Sequence, residues 1–159
     1  MKSTQSGFTL TELVVTITIV GILAAVAVPR LVSLGADARA GVIRSTAGAM
    51  KQANDSIFAK ASIANVVALS AGATISYPKG DGTGNSSIEL VYGYAKNATE
   101  LAKALNLTAD VVVGADTAYP DGAFQHSKAQ DPKLCEVGYK KALDSTSPPT
   151  YTVVVSDCS

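Results

Sequence analysis

Gly7–Val28 reads GFTLTELVVTITIVGILAAVAV, and this stretch decides how the rest of the chain is organised. From Phe8 to Val28 the only ionisable side chain is Glu12. A helix of that length extends roughly 30 Å, enough to cross the hydrocarbon of a bilayer. A single spanning segment must satisfy its own backbone hydrogen bonds, which leaves helix as the practical form whatever the modest propensities of Val, Ile and Thr. A carboxylate inside such a segment is costly and is by default a candidate for function. The plainer alternative is that Glu12, one turn in, snorkels to the headgroups.

The residues ahead of the span are MKSTQSG, short and polar, with Lys2 their only charge. In a secretory signal the small-residue cleavage site follows the apolar run, whereas here Gly7 precedes it. Gly7-Phe8-Thr9-Leu10-Thr11-Glu12 leading into an apolar helix resembles the N-terminus of type IV prepilins and of the pseudopilins of type II secretion. The resemblance implies that residues 1–7 are a leader, cut by a membrane prepilin peptidase between Gly7 and Phe8 on the cytoplasmic side. The same enzyme would then methylate the Phe8 amine. Glu12 falls at the family's acidic position and Pro29 at its helix-bending proline.

Cleavage would create a charged amine at Phe8, four residues from Glu12 and on the same helix face, where opposite charges can meet. The resemblance also allows the pair to form between neighbouring subunits of a filament. Either way the carboxylate gains a partner that the precursor lacks, and removing one member strands the other.

The chain has 159 residues, room for one modest domain beyond the helix. Its 13 basic and 13 acidic residues balance, and basic side chains are scattered singly apart from Lys140-Lys141, which argues against a nucleic-acid partner. Cys135 and Cys158 are the only cysteines. In an exported head they are expected to form a disulfide whose loop closure contributes roughly 3 kcal/mol. A cysteine metal site would lack ligands, because His126 is the only histidine and there is no CxxC.

Pro29 removes one helical hydrogen bond and crowds the carbonyl of Ala25, so a kink is expected there. Gly21 weakens the helix eight residues earlier, and the resemblance implies local unwinding between the two. From Arg30 to Ala64 an amphipathic pattern follows, with Leu31, Leu34, Ala38, Val42, Ala49, Ala53, Ile57 and Ala61 near helical spacing. Phe8–Ala64 is read as one long bent helix, residues 8–28 in the membrane or filament core. Residues 29–159 then hold its amphipathic half and a globular head.

After residue 72 short β-like runs appear at Thr74–Tyr77, Ile88–Tyr92, Val111–Val113, Leu134–Tyr139 and Thr150–Ser156. The last two are expected to pair as a hairpin closed by the cysteines. Pro78–Asn85 reads as a turn, since it has too few acids for a calcium loop. Ala98–Leu107 reads as a short helix capped by Asn97 with Glu100 at the third position. Gly114–Pro132, which contains His126, reads as irregular and exposed. Four N-x-[ST] sequons (Asn54, Asn85, Asn97, Asn106) carry little weight in a Ser/Thr-rich chain.

PRLVSLGADAR (29–39), IFAKASIA (57–64), VYGYAKNATELAKALNL (91–107) and PTYTVVVSDC (149–158) look like the mannose-sensitive haemagglutinin type of pilin, except that Ala95 stands where those pilins often carry proline. The expected fold is therefore α+β: a type IV pilin helix packed on a small antiparallel sheet, with a C-terminal disulfide loop. No GxSxG elbow or phosphate loop is present, and no catalytic residue, cofactor or metal is assigned. The resemblance implies a structural pilus subunit for adhesion, biofilm formation or motility. It would wait in the inner membrane, meet the assembly platform and its ATPase, and end in an extracellular homo-oligomeric filament. The alternative is a type II secretion pseudopilin.

Overall fold

The computed structural model describes residues 7–159; the expected leader residues 1–6, and the side chains of residues 29–33 with the Pro29 ring among them, lie outside the described residues. Helix α1 runs Leu10–Ile63, 54 residues, and its assignment continues through Gly21 and Pro29. The chain divides into two compact units, one ending at Gly35 and the other Ala36–Ser159.

In the second unit α1 ends on a left-handed residue, Asn65 at φ 56°. The Val66 N–H reaches back to Ala61 O at 3.0 Å and the Asn65 N–H to Ser62 O at 3.1 Å. That pair of bonds is the Schellman arrangement, which satisfies carbonyls the helix end would otherwise orphan, and Asn tolerates the conformation it requires.

Two antiparallel sheets make up the head, rather than the single one expected. The first contains β1 (Ala73–Pro78), β2 (Asn85–Val91) and β3 (Tyr94–Ala95) in that order. The second contains β4 (Val111–Asp116), β5 (Tyr119–His126), β6 (Cys135–Lys140) and β7 (Thr150–Val155), also in sequence order. Between β3 and β4 sits α2 (Ala98–Ala102). The core is the α1 stripe Ala40, Ile43, Met50, Ala53, Ile57 and Ala61 against Ile75, Ile88, Leu90, Phe124, Val137 and Tyr139 of the sheets. Ile43, Met50 and Ile57 are wholly buried, so truncating any one to Ala should cost about 2–5 kcal/mol.

The last hairpin forms as expected, with register running from Cys135↔Val155 to Lys140↔Thr150. Cys135 and Cys158 are joined, their Cα atoms 5.0 Å apart. Three expectations need correction. The stretch 114–132 is not irregular: it supplies β5, with Ala123 and Phe124 fully buried and His126 almost so. Pro120 and Gly122 give it the look of a loop, but they lie beside a register shift between Gly114 and Asp116, where a bulge tolerates both residue types. The second helix stops at Ala102 rather than Leu107. Asn97 does cap it, accepting from the Glu100 N–H at 2.8 Å, but the Glu100 carboxylate accepts from the Glu89 N–H and Lys103. The Lys103 carbonyl accepts from Gly80 N–H instead of continuing the helix. Finally, Leu34, Ala38 and Ala49 are exposed; the buried stripe is shifted onto Ala40, Ile43 and Met50.

Two polar residues sit inside that stripe: Thr46, whose hydroxyl donates back to Val42 O at 2.9 Å, and Asn54. Asn54 is wholly buried, and its Nδ2 donates to Tyr151 Oη at 2.8 Å and Tyr139 Oη at 3.1 Å. Its Oδ1 accepts from the Ala95 N–H at 3.0 Å, and Tyr139 Oη donates to Ala95 O at 2.6 Å. The amide thus ties α1 to β3 of one sheet and to β6 and β7 of the other. Burial pushes the Tyr139 phenol far up and Tyr151 up to about 12, so both hydroxyls keep their protons. Ala95 supplies an N–H that proline would lack. It is presented by the two-residue turn Tyr92-Gly93, where both φ values are positive as a type I′ turn requires. A Cβ on Gly93 would come within 2.9 Å of Phe58 and Val67 as well.

His126 lies at the far end of β5, opposite Val111, with its Nδ1 accepting from the Lys128 N–H at 3.3 Å. Burial pushes its pKa down against the pull of the Asp110 carboxylate, and Arg39 and Lys128 add repulsion.

Replacing Asn54 by Ala leaves a buried N–H and two phenols short of partners, at about 1–3 kcal/mol for each group that water cannot reach. Urea unfolding of Asn54→Ala should therefore show a loss of about 3 kcal/mol with an unchanged m value; a loss below 1 kcal/mol would show the network to be dispensable. For His126 the unfolded chain binds the proton more readily than the folded one. Its contribution is present above about pH 6.5 and is lost as pH falls toward the depressed folded pKa. The Tm of the wild type should fall more steeply between pH 7.5 and 5 than that of His126→Gln, and parallel curves would refute the assignment.

Candidate processing and assembly site

The first described residues, Gly7, Phe8 and Thr9, have no regular structure, and α1 begins at Leu10. The start is fixed by a reciprocal set of bonds. The Thr9 carbonyl accepts the first helical bond, from Leu13 N–H at 3.2 Å, which makes Thr9 the cap residue. Its Oγ1 accepts from the Glu12 N–H at 3.3 Å, while the Glu12 carboxylate accepts from the Thr9 N–H at 2.9 Å and the Thr9 hydroxyl at 2.7 Å. This is a capping box, threonine and glutamate three apart, each satisfying a donor of the other. Glu12 also lies in the first turn, where a negative charge complements the helix dipole.

The spacing of this box, Thr9-Leu10-Thr11-Glu12, is legible in the sequence as threonine followed three residues later by glutamate. In the uncut chain the carboxylate is bonded to Thr9, and Phe8 N belongs to the Gly7–Phe8 peptide. The hydroxyls farther along bond back to their own helix: Thr16 Oγ1 to the Glu12 carbonyl, and Thr18 Oγ1 to Val15 O at 2.8 Å.

Leu10–Val28 is long and apolar enough to span a bilayer, with a mean hydropathy of 2.3, and none of it is buried within the chain. Phe8 is 86% exposed, and the Leu, Ile and Val side chains from Leu10 to Val28 are exposed all round the helix. A helix apolar on every face needs lipid or other protein around it. Gly7 has open space around it among the described residues, so a side chain there would meet nothing of the chain's own. The same is true of Gly21.

In the head, the acid of the 78–85 loop is engaged in the loop's own turn. Asp81 Oδ1 accepts from Thr83 N–H and Oγ1 at 2.9 and 2.8 Å, closing a turn. Among the described residues no three His, Cys, Asp or Glu side chains gather as a metal would require. Asn54 and Asn97, two of the four sequon asparagines, have their side chains committed to the core and to the α2 cap.

Residues 2–28 match the family model described as the prokaryotic N-terminal methylation motif. No curated protein and no solved structure matches the chain. The methylation motif supports a type IV pilin or pseudopilin, a structural protein handled by a prepilin peptidase and a pilus-type assembly machinery. The apolar N-terminal helix, the antiparallel sheets and the Cys135–Cys158 bridge make up an α+β architecture consistent with the type IV pilin fold.

Proposed function

We propose that this chain is the major subunit of a type IV pilus of the mannose-sensitive haemagglutinin kind, serving surface adhesion, biofilm formation or motility. The observation that carries the reading is a methylation motif at the head of an apolar helix whose Leu, Ile and Val side chains are exposed among the described residues. The subunit waits in the inner membrane with residues 8–28 in lipid and its head exported. The peptidase cuts after Gly7 and methylates Phe8. An assembly platform and its ATPase then move the subunit into an extracellular filament, where contacts with lipid are exchanged for contacts between helices.

Glu12 guides that transfer. It is the only ionisable side chain in the span, and cleavage adds one amine, at Phe8, that can meet it within the subunit or on a neighbour. Gly21 and Pro29 are the positions at which the helix yields during packing. The second reading is a pseudopilin of type II secretion. The bridged C-terminal hairpin and the internal motifs at 29–39 and 91–107 favour the pilus, because a major pseudopilin more often ends in a calcium-bound loop. Surface filaments that vanish on deletion support the first reading; a secretion defect without filaments supports the second.

Gly7→Val places a side chain in the peptidase's pocket while meeting none of the described residues. It should leave uncut precursor in the inner membrane, read as intact mass; normal processing would defeat the assignment. Glu12→Ala should still insert, because the span becomes more apolar, and should still yield cleaved subunit. Its sheared-filament yield should collapse relative to the membrane pool of cleaved subunit. Wild-type yield would mean that the carboxylate takes no part in assembly.

A further inference from the structure

We propose that Thr9 is a positioning residue for leader removal, acting by holding the scissile Gly7–Phe8 bond outside the helix. The inference rests on the processing reading above and adds a second, separable task for the Thr9–Glu12 pair. Hydrolysis adds water across the Gly7–Phe8 amide, leaving a carboxyl on Gly7 and an amine on Phe8. A peptidase must grip backbone N–H and C=O groups on either side of that bond, and in a helix those groups are already turned inward and bonded to one another.

The observed boundary meets that need. Gly7, Phe8 and Thr9 are non-helical, and the first helical residue is Leu10, two beyond Phe8. What stops the helix from growing toward the leader is the box itself. The Thr9 N–H, which would have to seek a carbonyl in the preceding turn, is held by Glu12 Oε2 at 2.9 Å. The Glu12 N–H, which would bond back to Phe8 O if the helix extended, is held by Thr9 Oγ1 at 3.3 Å. The hydroxyl-to-carboxylate bond at 2.7 Å locks the two side chains together. Phe8, 86% exposed, is left free to be gripped.

This role differs from charge guidance in what it asks of residue 12. Capping requires an acceptor, which Gln provides as well as Glu; docking on an amine requires the charge. The two are therefore separated by one substitution. The experiment uses the full-length chain in detergent with a solubilised prepilin peptidase, and follows initial rates of leader loss by mass. Alongside it, the Cα chemical shifts of Phe8 and Thr9 are measured in the uncut chain.

Thr9→Ala should be cut more slowly, by about fivefold for the loss of a cap, with Phe8 and Thr9 shifts moving toward helical values. Thr9→Ser should recover both readouts, and Glu12→Gln should follow Thr9→Ser rather than Thr9→Ala. Thr9→Ala cut at the wild-type rate would overturn the proposal, as would helical shifts at Phe8 in the wild type. If Glu12→Gln were slowed as much as Thr9→Ala, the effect would belong to the charge and the capping role would fall. A wild-type chain left uncut, with Gly7→Val behaving identically, would instead remove the processing reading beneath it.

Discussion

The Asn54 amide is the constraint around which the head is arranged. A buried amide with no partner is costly, so the native packing is the one that brings Ala95, Tyr139 and Tyr151 to it at once. Hydrophobic contact contributes through Ile43, Met50 and Ile57, but the other half of the apolar stripe is alanine, and Ala40, Ala53 and Ala61 hold the helix's position less firmly. A turn's slide would carry Asn54 about 5 Å from its partners. Tyr139 and Tyr151 are opposite one another across β6 and β7, so the same amide also depends on the register of that hairpin. Slip β7 by one residue against β6 and the Tyr151 phenol moves to the other face, away from the amide.

The two parts of α1 satisfy their polar groups by different means. In the head, polar side chains reach across elements, Arg39 to the Cys158 carbonyl as well as Asn54 to three strands. From Thr9 to Thr18 every recorded side-chain bond is local, within four residues. Local bonds suit a segment whose surroundings change: they survive transfer from lipid to protein because they depend on neither. Long-range bonds suit a domain that must keep one shape throughout.

That difference also decides what the sequence made legible. The span, the long helix, the last hairpin and the cysteine pair carry strong local signals: an unbroken apolar run, helical spacing, alternation, and two cysteines flanking β-rich runs. The second sheet's inner strand did not, because Pro120 and Gly122 obscure it and only pairing with β4 and β6 makes Tyr119–His126 a strand. The helical stripe is legible from Ala53 through Ile57 to Ala61, but before that it is off by one or two residues, because alanine occurs on both faces and only Ile43 and Met50 are informative. Asn54 went unnoticed for a different reason. It interrupts an apolar stripe next to Ala53, and a polar residue there signals a network only once its partners on β3, β6 and β7 are known. Thr9 was overshadowed by the charge three residues on.

The structure locates function by where the chain fails to satisfy itself. In the head, the one orphaned polar side-chain atom among the described residues is Ser86 Oγ; the cysteines are paired and the core is filled. From Gly7 to Val28 the position is reversed. Gly7 has nothing within 4 Å among the described residues, and the apolar side chains from Leu10 to Val28 are exposed among them. Along the span that exposure calls for lipid or other helices, while the open space at Gly7 is compatible with the processing proposed there. Glu12 belongs to both regimes. In the uncut chain both Thr9 bonds fall on Glu12 Oε2, and Oε1 accepts no bond from the described residues. The assembly role proposed for Glu12 therefore does not require the cap to break: a cation can approach the second oxygen, and its attraction is strongest where water is excluded.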